Sequence, residues 1–331
     1  MTFAQRSGAA VLTAAMLITG CSSPPPPAPE PTGDDLEQAW RIAVGENQLD
    51  ATIAQVYAIA LNSHEVPTVV TEAEESAVDL AVALARGQQL AEDDSEDRYE
   101  MVVARTMPLA EALDPSAYSD TITASEVEYT PAASPEELTE LIESRMDAAE
   151  LLEPTAGVLG QGFHITSITA EEFELGGEDE DAEDFAPHCG ELRMGLNEEL
   201  TDAADQLAEV YDCVPAEMQT GSEEELVQLL ITAEIDAALM TLSHPAAADH
   251  SLITFSDASR GFPQDQYAPV VSSEIADEVP EVVVEISEAL DEDSLLTLRR
   301  LIEGENGLSP EDAAVYWLVE EGLLAEPDDW G

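Results

Sequence analysis

From Asp34 onward, short apolar runs alternate with amphipathic stretches that open on helix caps. An apolar run bounded by turn residues is a strand buried on both faces, and strands alternating with helices form parallel sheets covered by helices on either side. Trp40–Val44 starts the series, followed by Gly45-Glu46-Asn47 and a helix for which Asp50 is the expected cap, with Ile53, Val56, Tyr57, Ala60 and Leu61 on one face. Thr71 and Glu74 form a capping box for the next helix, with Val78, Leu80, Val82 and Leu84 inward and Gly87 at its end. Residues 99–104 are the next strand. Ser134, Pro135 and Glu137 then start a helix striped by Leu138, Leu141 and Ile142. Leu151-Leu152 is a strand leading into Pro154 and the glycines from Gly157 to Gly162.

A second series follows, with strands at 192–196, near Cys213 and at 235–239, and helices through Leu207 and Val210 and behind a capping box at Ser222 and Glu225. The last third holds strands at 252–255 and 267–271, then three helices. The final helix opens at Ser309-Pro310-Glu311, is filled by Ala313, Val315, Tyr316, Trp317 and Leu318, and stops at Gly322. The fold class is α/β. A chain of 331 residues holds two ordinary domains or one large one, and 44% hydrophobic residues exclude wholesale disorder.

Charge narrows the partners. Seventy-two Asp and Glu face 10 basic residues, all Arg, for a net charge of −62. Such a field repels phosphate backbones and anionic headgroups, so neither nucleic acid nor a polybasic membrane patch is expected. It favours a cationic partner or a high-salt setting; a solvated acidic surface that keeps the protein soluble is the plain alternative.

Residues 1–20 have the form of a signal peptide: Arg6 precedes an apolar run from Ala9 to Thr19 that is too short to span a bilayer. The run ends in Leu17-Ile18-Thr19-Gly20-Cys21, which resembles a bacterial lipobox, in which Cys21 is acylated and becomes the new N-terminus. An ordinary secretory signal with Cys as first mature residue is the alternative. Residues 21–35 include Pro24 to Pro27 and Pro29, a stiff extended tether that would hold a domain off its anchor. Lipid would then be the sole membrane attachment, on the extracytoplasmic face. The remaining pair, Cys189 and Cys213, is expected to form a disulfide in that oxidising setting and to contribute ~3 kcal/mol. A metal site with His188 is the competing idea, but it falls short of a tetrahedral set.

Several chemistries find no motif. The five His show no metal-ligand spacing, there is no Gly-x-Ser-x-Gly elbow, and a phosphate-cradling loop ending in Gly-Lys is excluded because the chain has no Lys. Carboxylates are so abundant that no acid/base pair stands out. The acidic loop 176–184 lacks the spacing of a calcium loop. No cofactor, no metal and no enzyme activity are expected.

Four segments taken in order resemble the substrate-binding proteins of glycine betaine, choline and osmoprotectant ABC transporters. They are Arg41 to Asn47 running into Gln55-Val56-Tyr57, Leu151 to Pro154 running into Phe163 to Thr166, Gly261 to Val271, and Leu308 to Leu324. The resemblance implies a two-lobed periplasmic-binding-protein-like fold, two parallel-core sheets flanked by helices, with crossovers near 156–160 and 242–245. Residues 36–156 and 243–331 would form one lobe and 157–242 the other. It further implies a monomer that closes over a small solute and docks on an ABC permease. Tyr residues of the family's cation-holding cage fall on Arg105, Val227 and Asp265, with Phe262 and Tyr267 close by. The candidate contacts are Glu46, Asn47, Arg105, Thr106, Gln161, Thr241, Ser243, Phe262, Asp265 and Tyr267; Ser222 serves equally as a helix cap. Arg105 would meet a ligand carboxylate bidentately, or make a surface or inter-lobe ion pair instead; a permanent cation would need Glu46 or Asp265 to offset its charge. A non-transporting paralogue, serving as a tethered sensor or interaction module, is the alternative function.

Overall fold

Ile42, Ala43 and Val44 are at most 3% exposed, as a strand covered on both faces requires. Their side chains alternate between two cores. Ile42 and Val44 pack with Tyr57, Ile286 and Trp317, whereas Ala43 packs with Leu80, Ala81 and Val102. The computed structural model describes residues 24–28, 31–33, 36, 38–88, 98–122, 134–176, 181–198, 200, 203–257, 261–262, 264–303 and 307–327. The signal segment, Cys21, and positions 177–180 of the acidic loop lie outside them. Of the tether, Pro25 is docked: its carbonyl accepts from the Ala325 N–H at 2.8 Å.

In chain order the strands are β1 (Trp40–Val44), β2 (Thr68–Glu72), β3 (Met101–Arg105), β4 (Ala149–Leu151), β5 (Gln161–Ile165), β6 (Arg193–Asn197), β7 (Glu217–Gly221), β8 (Ala237–Thr241), β9 (Ile253–Ser256) and β10 (Tyr267–Ser272). They form two sheets, one ordered β2-β1-β3-β10-β4 and the other β7-β6-β8-β5-β9. Each sheet with its helices is one lobe. The helices Gln48–Ser63 and Pro310–Glu320 cover one face of the first sheet, and Ala77–Ala85 and Thr106–Leu113 cover the other.

One strand in each sheet runs against its neighbours. β10 sets Tyr267 beside Arg105 at the carboxyl end of β3, and β5 sets Gln161 beside Thr241 at the carboxyl end of β8. These are the two strands by which the chain arrives from the other lobe. A segment entering at the edge where its neighbours end must run opposite to them, so both antiparallel strands follow from the crossings. The crossings lie side by side, joined by the Leu159 N–H to the Asp265 carbonyl at 2.7 Å. Gly157 sits where an added Cβ would meet the Asp291 backbone at 2.6 Å, so only glycine lets the first crossing lie this close to lobe one.

Four local expectations change. Asn47, not Asp50, caps the first helix: its side chain accepts from Leu49 N and Asp50 N at 2.8 and 3.1 Å, because the turn after β1 is tight enough for the helix to begin at Gln48. Gly45 lets the start of the second helix approach the end of β1; a Cβ there would meet the Glu75 carbonyl at 2.8 Å. Thr71 lies in β2, paired with Ala43, and Ser76 caps the second helix instead. That helix buries Ala77, Leu80, Ala81 and Leu84, the stripe that a 3.6-residue period selects, and leaves Val78 and Val82 half-buried. Finally, the strand at 252–255 belongs with the second lobe. After β8 the chain turns through the short helix Ala246–Asp249 and returns as β9 to fill the open edge of β5, so the second crossing lies between β9 and β10, not at 242–245.

The second lobe packs Phe163 against Phe185, with ring centroids 4.6 Å apart, and adds Tyr211, Phe255 and Phe262. Cys189 and Cys213 form a disulfide with Cα atoms 5.3 Å apart, beside the amino ends of the neighbouring parallel strands β6 and β7.

Candidate functional site

In an open parallel sheet the carboxyl ends of strands and the amino ends of the following helices gather on one edge. Here these edges face each other across a cleft of about 390 Å³. Lobe one contributes Asn47, Gln48 and Leu49 after β1, Arg105 and Met107 after β3, Tyr267 at the start of β10, and Arg299, Ile302 and Glu303 from the end of the helix Glu292–Ile302. Lobe two contributes Gln161, Asn197, Glu198, Leu200, Ser222, Glu223, Glu224 and Thr241. A volume of this size lies within the usual range for small-molecule sites, and an inter-lobe position is a common one. A hollow of about 530 Å³ beside the disulfide is lined from lobe two alone, by residues such as Pro187, Val210 and Val214, so closure of the lobes does not act on it.

Asp265 sits beneath Arg105. It is 2% exposed, and its carboxylate accepts from Arg105 Nε at 2.7 Å, Thr106 Oγ1 at 3.0 Å and Met107 N at 2.8 Å. It therefore fastens the amino end of the helix Thr106–Leu113 and neutralises the guanidinium that lines the cleft. Tyr267 is fastened too, its hydroxyl donating to Asp50 Oδ1 at 2.9 Å. Burial pushes the Asp50 carboxyl up in spite of that bond and of Arg105, and burial likewise holds the Tyr267 phenol well above its ordinary range.

Glu223 is the hub of the opposite wall. Its Oε1 accepts from Thr241 N at 2.7 Å and Asn197 Nδ2 at 3.3 Å, while Oε2 lies 3.6 Å from Arg299 Nη2 and 3.8 Å from His244 Nε2. Burial raises its pKa, but the hydrogen bonds from Thr241 and the charge of Arg299 outweigh it, so the carboxyl titrates below its usual range and is ionised. Burial, helped by Arg299, pushes His244 down despite Glu223, which favours the neutral ring. Arg299 belongs to lobe one and Glu223 to lobe two, so this pair spans the cleft. Its neighbour Arg300 makes a second inter-lobe pair, 3.1 Å from Asp249.

Of the sequence candidates, Asn47, Arg105, Gln161, Thr241 and Tyr267 line the cleft. Thr106 and Asp265 lie just behind it and hold Arg105 and its helix in place. The remaining three are elsewhere. Glu46 points to solvent from the turn after β1, and Ser243 is buried at 5% exposure outside the lining. Phe262 is fully buried in the aromatic core of lobe two, where the Asp257 carboxylate accepts from Gly261 N and Phe262 N, each at 2.8 Å. Val227 packs in a lobe-two core as well. Sequence reasoning did not single out Glu223, Asn197 or Arg299. The signal for Glu223 was present, because the residue after a capping Ser at a strand end faces the same edge as the cap.

Among the described residues, no group of three or more His, Cys, Asp or Glu is arranged to hold a metal ion, and no helix is long and apolar enough to cross a membrane. Residues 126–320 match the family described as the substrate-binding domain of the ABC-type glycine betaine transport system, OpuAC. No curated protein matches the sequence. Solved structures do: a glycine betaine/carnitine/choline ABC transporter structure aligns at TM-score 0.67 and 15% identity, over 86% of this chain and 98% of the other. Apo YehZ of Escherichia coli aligns at 0.65 and 17% identity, over 86% and 99%. Lactococcal OpuAC, closed and complexed with glycine betaine, aligns at 0.51 and 13% identity, over 86% and 96%.

Proposed function

Since the chain belongs to the family of substrate-binding domains of ABC-type glycine betaine transport systems, we propose that it captures a small osmoprotectant-like solute between its lobes and hands it to an ABC permease. The family is one of extracytoplasmic receptors rather than enzymes. The cleft carries the reading. Polar groups from both lobes converge on one space of about 390 Å³, and the two crossing segments run side by side at its base as a hinge. Closure brings the Arg105 and Glu223 walls together over the solute, and the closed form is the shape a permease recognises.

Lipid anchoring through Cys21 belongs to the same proposal. The segment Leu17 to Cys21 and the proline-rich residues that follow support it. A Cys21→Ser protein recovered in the soluble fraction, with the unaltered protein in membranes, would agree; equal partitioning would not.

The test of capture is calorimetric titration with glycine betaine, choline, proline betaine and carnitine, together with their less methylated counterparts. At least one is expected to bind at one site per chain. Silence from all of them, in a preparation with a cooperative melt, refutes capture. A second reading, the non-transporting module, draws on the Arg299–Glu223 pair, which already occupies part of the cleft with the protein's own charges. Permease and ATPase genes beside this one would decide for transport.

A further inference from the structure

A quaternary ammonium has no N–H to donate, so proteins hold it against aromatic ring faces. An ammonium that keeps an N–H is held by carboxylates and carbonyl oxygens through charge-assisted hydrogen bonds. The walls of this cleft are of the second kind. Glu198, Glu223, Glu224 and Glu303 line it, and both lining cations are held by carboxylates, Arg105 by Asp265 and Arg299 by Glu223 and Glu303. Among the described residues Tyr267 is the one aromatic side chain of the lining, and its hydroxyl is committed to Asp50.

Gln161 supplies an independent sign. It lines the cleft, is 8% exposed, and its Oε1 has no hydrogen-bond partner. A buried amide oxygen without a donor is a costly arrangement that native structures rarely leave standing. What completes it must be a donor, and the carboxylates that line the same cleft favour a positive one. A trimethylated nitrogen meets the second requirement and fails the first.

Resting on the reading of this cleft as the capture site, we propose that its solute carries an ammonium with at least one N–H. The ligand class is an amine or amino-acid-like zwitterion in place of a quaternary head, with Gln161 and the cleft carboxylates as acceptors. Successive methylation of one nitrogen then removes the recognised feature step by step at nearly constant charge.

The experiment is calorimetric titration of the full chain with glycine, N-methylglycine, N,N-dimethylglycine and glycine betaine, and in parallel with ethanolamine, its methylated forms and choline. The tightest N–H-bearing member of a series is expected to bind at least tenfold more tightly than the quaternary end of that series. Gln161→Met, close in size but without the acceptor, is expected to shrink that ratio to threefold or less, with its fold checked by circular dichroism. If the variant does not fold, the wild-type series decides alone. A quaternary ligand that binds as tightly as its N–H-bearing relatives, or more tightly, overturns this inference and leaves solute capture standing. Absence of binding by every member of both series overturns the inference and counts against capture as well.

Discussion

Replacing Asp265 by Ala strips one carboxylate from four donors: Arg105 Nε, Thr106 Oγ1, Met107 N and Gln266 N, at 2.7 to 3.0 Å. The bridge between the crossings uses the Asp265 backbone carbonyl and survives the change, so the substitution isolates the side chain. Removing one partner of a buried ion pair costs about 3–5 kcal/mol, because the other charge is left uncompensated. Arg105 keeps 34% of its side chain in solvent, and water recovers part of that loss. Thr106 Oγ1 still accepts from Gln266 N at 3.1 Å, which leaves the Met107 N–H as the main orphan. The lower end applies: about 3 kcal/mol. Urea unfolding followed through intrinsic tryptophan fluorescence, to which Trp317 at 1% exposure and half-buried Trp40 contribute, measures it. Arg105→Met in the Asp265→Ala background should recover at least ~1 kcal/mol relative to the sum of the single changes, since it removes the charge left stranded. A loss under about 1 kcal/mol, or strict additivity in the double variant, refutes the assignment of Asp265 as the counter-charge that holds Arg105.

Reducing the Cys189–Cys213 disulfide, or replacing both residues by Ser, should lower stability by about 3 kcal/mol; a melting temperature indifferent to reductant would contradict that. His164 is fully buried, and desolvation pushes its pKa down to about 4. Between that value and ~6.5 the unfolded chain binds a proton that the folded chain refuses, so the His164 contribution is intact above pH ~6.5 and is lost as pH falls toward 4, by about 3 kcal/mol in all. His164→Asn should flatten that part of the stability–pH curve, and parallel curves would disprove the cause. Replacing Arg299 and Arg300 by Gln cuts both inter-lobe ion pairs. The Arg300–Asp249 pair is exposed and stabilises by only ~1 kcal/mol or less, whereas losing Arg299 strips a counter-charge from the mostly buried Glu223 and costs about 3 kcal/mol. Small-angle scattering should also show a larger mean radius; an unchanged radius would mean that the pairs do not hold the lobes together.

The lobes were legible because most of their strands are apolar runs and several of their helices open on caps that do what their sequence says. Ser134, Ser222 and Ser309 all cap as expected, the first two with full capping boxes. β2 and β7 were harder. Thr68–Glu72 has only Thr68 fully buried, and Glu217–Thr220 are exposed, so neither shows the apolar run that betrays β1 or β3. Both lie at sheet edges, where half-buried or exposed residues suffice. Gln161 and Thr241 were found because strand ends are visible in sequence, Arg105 and Tyr267 because the family resemblance laid its cage segments over them. The pairing of Glu223 with Arg299 was not, since it joins elements from different lobes and depends on how the two approach. Phe262 misled for a related reason: nearness to Asp265 and Tyr267 along the chain places it by a crossing segment, but a fully apolar ring gains more from the core of lobe two than from a polar cleft.

The central claim is that two lobes close over a bound solute. Leu308 in one lobe and Ile168 in the other are 39% and 74% exposed, and dyes attached at Leu308→Cys and Ile168→Cys report the distance between lobes by single-molecule energy transfer. The account predicts that a solute shown to bind by calorimetry shifts the distribution toward the shorter distance, in step with occupancy. A distribution that stays fixed while the site fills would contradict it.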